Sequence, residues 1–296
     1  MKRRDMLRAT GAVLVGASAF PWGWVRAADQ KKVPQKILYF TRCQGFVHDA
    51  VKRGKEPLAF SEKLLTALGA KHGFEVECTK DGTVFDGDLA KYDAIAFYTS
   101  GDLCKEGSEK TPPMTAAGKQ KLLDAVNAGK GFIAFHAASD SFHTPGKGDE
   151  NQDSPDPYIK MLGGEFIVHG RQQAARMIVA SPQFPGAGKF TESPKIMEEW
   201  YTHKNFAKDL HVILVQDTAG MEDKCYQRPP YPATWARMHG KGRVFYTSFG
   251  HRDDVWTNPL VEGLILGGIA WALKNVDADV TPNLDKAAPK ASQLKN

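Results

Sequence analysis

Three of the nine histidines stand just beyond apolar runs. His136 follows residues 131–135 (GFIAF), His251 follows residues 243–248 (RVFYTS) after two intervening residues, and His48 lies a few residues beyond 37–41 (ILYFT). The same boundaries carry Arg42, Cys43, Gln44 and Asp49 after the first run, Asp102 after the run at 93–99, and Ser139, Asp140 and His143 after His136. Imidazole, carboxylate and hydroxyl groups are the tools of acid–base chemistry, and neutral imidazole is a common ligand of divalent metals such as zinc. No His-x-x-x-His pair puts two ligands on one helix turn, so a metal held by His48, His136 and His251 would have to be assembled from separate loops. The duller reading is a set of core histidines satisfied by backbone carbonyls. G-x-S-x-G, H-E-x-x-H, Walker and G-x-G-x-x-G signatures are absent, which removes the serine hydrolase, zincin, nucleotide hydrolase and dinucleotide oxidoreductase readings.

The elements that must position these groups follow from the apolar pattern. Continuous runs at 37–41, 93–99 and 131–135 read as strands buried on both faces, and 74–78 reads as an alternating strand. Leu64, Leu65 and Leu68 fall at helical spacing before Gly73, which is placed as a C-cap. A second helix is expected over 114–128, a short one at 158–162, and a last one opening on Asn258-Pro259. Further strands are expected near 176–180, 211–217, 233–238 and 243–248. Strands alternating with helices predict β-α-β crossovers and a parallel sheet, whose ligands gather beyond the carboxyl ends of the strands. The polar segment 139–157 is too long for a simple connection and so is expected to be functional.

The segments FTRCQGFVHDA, YDAIAFYTSGD, GKGFIAFHAASDSFH, YIKMLGGEFIVHG, EEWY and PATWARMHGKGRVFYTSFGH, in this order over roughly residues 36–273, resemble the ThuA-like (trehalose-utilisation) family. The resemblance implies a flavodoxin-like, class I glutamine amidotransferase-like three-layer α/β sandwich with a mainly parallel central sheet. It adds His169, Glu199 and Tyr201 to the candidate site. Glu198-Glu199-Trp200-Tyr201 stands where the family commonly reads Asp-Glu-x-Tyr. Amidotransferases of this fold carry a cysteine nucleophile on the sharp turn after a central strand. The corresponding turn here is Phe135-His136-Ala137, so glutaminase activity does not carry over. The resemblance also implies a carbohydrate ligand: a trehalose-type disaccharide, a glucoside or a keto derivative. Elimination, isomerisation or hydrolysis, assisted by acid–base groups or a metal, is the expected chemistry, with His48, His136, His251, Glu199 and Tyr201 as catalytic candidates. Arg42, Gln44, Asp49, Asp102, Ser139, Asp140, His143 and His169 are expected to bind substrate. The rival is a sugar-binding or scaffold protein that uses the same pocket without turnover.

Composition sets the remaining bounds. The chain has 296 residues, 42% of them hydrophobic and 25% charged, as in an ordinary globular protein. Its formal charge of +5 is misleading, because residues 1–27 hold Lys2, Arg3, Arg4, Arg8 and Arg26 against Asp5 alone. The near-neutral remainder offers no field for nucleic acid or an anionic membrane. Residues 1–27 read as a twin-arginine-type export signal, followed by a linker at 28–35, a domain at 36–275 and a flexible tail at 276–296. A periplasmic or otherwise extracytoplasmic protein with no transmembrane anchor in the mature chain is therefore expected. The four cysteines contain no C-x-x-C pair and are expected to be mostly buried thiols.

Overall fold

The computed structural model describes residues 34–295; the expected export signal lies outside the described residues. Eleven strands are described: β1 Gln35–Phe40, β2 Phe74–Thr79, β3 Ala94–Phe97, β4 Gly131–Phe135, β5 Glu165–His169, β6 Gln173–Val179, β7 Lys195–Glu198, β8 Tyr201–Lys204, β9 His211–Asp217, β10 Tyr231–His239 and β11 Gly242–Thr247. The helices are α1 Phe60–His72, α2 Ala116–Asn127, α3 Pro157–Leu162, α4 Asp253–Trp256, α5 Pro259–Ala272 and α6 Leu284–Ala287. Nine strands form one sheet in the order β2-β1-β3-β4-β11-β10-β9-β6-β7, while β5 and β8 pair separately. From β2 to β11 all pairings are parallel; from β11 to β7 all are antiparallel.

The parallel half is the part that the apolar runs predict. Its strands alternate between two cores, as the two-residue period of a strand requires. Ile37, Tyr39, Ile133 and Phe135 pack on one face with Leu65 and Leu68 of α1 and Leu264, Ile265 and Ile269 of α5. Leu38, Phe40, Phe132 and Ala134 pack on the other with Leu122 and Val126 of α2 and Ile159 and Leu162 of α3. The expected caps are present: Gly73 adopts a left-handed conformation and returns its N–H to Gly69, and Asn258 Oδ1 accepts the N–H of Leu260 at 2.9 Å. Trp200, Trp235 and Trp256 are fully buried.

Two expectations change. Residues 276–295 pack on the body rather than fraying. Asn283 Oδ1 accepts the N–H of Val212 at 2.6 Å, Arg228 donates to the Ala291 carbonyl at 2.7 Å, and Ala288 and Ala291 are buried. Small alanines suit this close docking, and their composition alone resembles that of a solvated tail. All four cysteines are free thiols, but only Cys43 is buried. Burial pushes the Cys43 thiol up to about 11, so it is no thiolate nucleophile.

Candidate metal centre

At the end of β4 the chain turns at once. His136 has a φ of 41°, a left-handed conformation that non-glycine residues seldom take, and it opens a 3-10 turn over His136–Asp140. Phe135 pairs with Thr247 in parallel register, so the next residues, His136 and Ser248, lie side by side. His136 Nδ1–H donates to the Ser248 carbonyl at 2.9 Å. A carbonyl can only accept, so a neutral His136 carries its proton on Nδ1 and turns the Nε2 lone pair into the site. Burial pushes its pKa down to about 4 against the pull of Glu199, which keeps the ring neutral at ordinary pH.

Glu199 sits in the link between β7 and β8, and three imidazoles surround one of its oxygens. Oε2 is 3.1 Å from His251 Nδ1, 3.4 Å from His136 Nε2 and 3.7 Å from His48 Nε2. The four ligand atoms all lie within 4.8 Å of one another. Bonds of about 2.1 Å around a tetrahedral zinc place neighbouring ligands about 3.4 Å apart, a value that these three distances bracket. His169 Nδ1 approaches the other carboxylate oxygen at 3.3 Å. For His251 burial lowers the pKa, and the Glu199 carboxylate reverses this into a net rise.

The cluster is poorly served by hydrogen bonds alone. His136 Nε2 and Glu199 Oε2 are two acceptors facing each other, and His48 Nδ1 is buried with no hydrogen-bond partner among the described residues. A divalent cation between the lone pairs would turn the first of these defects into bonding. Tyr201 completes the wall: its hydroxyl lies 3.2 Å from His48 Nε2, and its ring is 4.2 Å from that of His136. Burial raises its pKa well above the usual phenol value, so it stays a neutral hydrogen-bond donor. Antiparallel pairing of β5 with β8 sets His169 opposite Tyr201, with the rings stacked 5.7 Å apart at 11°.

The other expected site residues disperse. Arg42 is fully buried, and its guanidinium donates to the carbonyls of Leu103, Lys105 and Thr111, so it clamps a loop. Gln44 Oε1 accepts the N–H of Asp102, which joins two loops, and Asp102 also pairs with Lys105. Asp49 is exposed at the start of a 3-10 turn over Asp49–Val51. Ser139 is buried in a network with His203 Nε2 at 3.1 Å and the Tyr246 hydroxyl at 3.0 Å; that hydroxyl donates to the His136 carbonyl. Asp140 and Glu165 hold His143 between them at 2.6 and 3.2 Å and raise its pKa to about 9.

His203, Tyr246 and Glu165 escape a search of strand ends because they lie within or at the start of strands. Gln172 escapes it as well. Its amide nitrogen is 2.8 Å from His251 Nε2, and its oxygen accepts from Arg252. Phe46 is 68% exposed, yet its ring stands edge-on to His48 at 4.9 Å. The carbonyl of Phe46 accepts from Ser100 Oγ at 2.7 Å, which fixes this aromatic beside the cluster.

Comparison with known proteins agrees with this architecture. Residues 36–272 match the ThuA family, described as trehalose utilisation. The chain is similar to a ThuA-like protein from Bacteroides uniformis, at 19% identity and a TM-score of 0.60, with 84% of this chain and 95% of that one covered. A ThuA-like protein from Parabacteroides merdae is similar at 17% identity and a TM-score of 0.55, covering 83% and 92%. At these identities the two structures speak for the fold, and a search of curated proteins finds no match. Because the family match spans well over half of the sequence, the chain belongs to the ThuA, or trehalose-utilisation, family.

Proposed function

We propose that the chain is an exported enzyme of carbohydrate metabolism that holds a divalent cation such as zinc on His48, His136, Glu199 and His251. The observation that carries this reading is the convergence of three imidazoles on Glu199 Oε2 with a lone pair of neutral His136 aimed at the same oxygen. Family membership supports the sugar class, and the twin-arginine-type sequence at 1–27 supports export. A bound cation would polarise a carbonyl or hydroxyl oxygen of the sugar. Around it the protein's own groups have separate tasks. Tyr201 donates a hydrogen bond toward developing negative charge, while His169, the exposed imidazole of the cluster, accepts or returns a proton at the mouth. Phe46 offers an apolar face against which a pyranose ring can lie. Proton abstraction beside the carbonyl of a keto-glucoside, followed by elimination, needs only these parts.

Turnover of trehalose, glucosides and their keto derivatives by the metal-loaded protein, lost with a chelator and restored by zinc, is the expected result. Saturable sugar binding without conversion would replace the enzyme with a sugar-binding protein. Cell fractionation of the wild type beside an Arg3→Lys/Arg4→Lys variant tests export; an unchanged location would remove that part.

A further inference from the structure

Two of the four candidate ligands, Glu199 and His251, lie on segments distant in sequence with no strand pairing between them. One buried side chain joins them. Glu198, at the end of β7, is completely inaccessible, and its carboxylate does not take part in the ligand cluster. Oε1 accepts the N–H of Glu199 at 2.8 Å, and Oε2 accepts the N–H of Gly250 at 3.0 Å. The Gly250 carbonyl is held from the other side by Tyr98 Oη at 3.0 Å and Trp256 Nε1 at 2.7 Å. The peptides leading into His251 are thus fixed on both sides. Gly250 itself has a φ of 133°, and a Cβ there would press on the Trp256 ring at 3.3 Å, so this geometry is open only to glycine.

A buried carboxylate is costly, and core packing gives no reason for one here. We propose that Glu198 is a positioning residue that sets the distance between Glu199 Oε2 and His251 Nδ1 by gripping the backbone of both segments. The inference rests on the reading of the cluster as a metal site, yet the grip exists without the metal. Oε1 takes the Glu199 N–H and Oε2 the Gly250 N–H, with the His251 N–H as a further backbone donor to the carboxylate, so a glutamine, with one oxygen, cannot hold both segments and sets an N–H against one of them.

The test compares wild type, Glu198→Gln and Glu198→Ala in two measurements. Amide hydrogen exchange at Glu199 and Gly250 in the metal-free protein should show slow exchange in the wild type, loss of protection at one site in the glutamine variant, and loss at both in the alanine variant. Competition titration with zinc should show affinity about 10- to 100-fold weaker in both variants, as expected when a group that orients ligands is removed. A Leu264→Ala variant, remote in role and comparably destabilised, should keep wild-type zinc affinity; this separates positioning from a general loss of stability. Unchanged protection and unchanged zinc affinity in Glu198→Ala would overturn the proposal. Should the wild type bind no zinc, the metal reading fails, and amide exchange alone then decides whether Glu198 grips both segments.

Discussion

Replacing His136 with alanine separates a metal ligand from a core histidine. The ring is fully buried, and its removal strands the Ser248 carbonyl, itself buried, at a cost of about 1–3 kcal/mol. The cavity left by the ring adds a further amount of about 2 kcal/mol. The total of about 3–5 kcal/mol does not exceed the roughly 5–15 kcal/mol stability of a typical domain, so the variant should fold with a melting temperature lower by roughly 6–20 °C. Backbone strain at the positive φ is the same for alanine as for histidine and does not enter the difference. Binding should change far more. Loss of one of four ligands should weaken zinc affinity by at least about 100-fold, beyond the effect of an outer-shell change. Turnover should fall by about 10²- to 10⁴-fold even after metal loading, if His136 also places the reacting oxygen. Thermal unfolding, zinc competition and activity per folded molecule read these separately. A destabilised variant that keeps wild-type zinc affinity and activity would refute the reasoning and return His136 to the core.

Arg42→Ala should lower the melting temperature through three lost carbonyl contacts while leaving zinc affinity unchanged; a selective loss of sugar binding would contradict the loop-clamp role. Phe46→Ala should weaken sugar affinity about 2- to 10-fold, as expected for one ring contact, with metal content unchanged by elemental analysis; equal affinity would remove the stacking face. His143 has a raised folded-state pKa of about 9, so its contribution to stability is complete below the unfolded value of about 6.5 and disappears as pH rises through 9. Urea unfolding of wild type and His143→Gln should therefore differ most at pH 6 and converge by pH 10; a difference independent of pH would show that the ion pairs with Asp140 and Glu165 do not matter.

What could be read from the sequence follows from which forces act locally. The apolar runs at β1, β3, β4 and β11 are buried on both faces, so their pattern was unmistakable, and the residues just beyond β4 and β11 fell beside one another as parallel register demands. Gln173–Val179 and Lys195–Glu198 are only partly buried, and their antiparallel pairing depends on distant partners, so that half of the sheet left a weaker trace. Polar residues at strand ends were an imperfect guide to the site. Arg42 and His136 both follow apolar strands, but the 103–111 segment folds over the guanidinium, whereas Ser248 turns the imidazole inward. Glu199, Tyr201 and His169 came from family motifs, since the short β5–β8 pairing that brings them together has no strong apolar signature. The role of Glu198 needed the Gly250 peptide to be seen next to it.

Elemental analysis of the purified protein, combined with anomalous diffraction at the cluster, tests the metal centre most directly. One divalent cation per chain, within about 2.0–2.2 Å of Glu199 and of the nitrogens of His48, His136 and His251, is the predicted result. A protein that remains metal-free after incubation with excess zinc, with His136 still hydrogen-bonded to Ser248 and no density between the imidazoles, would contradict it.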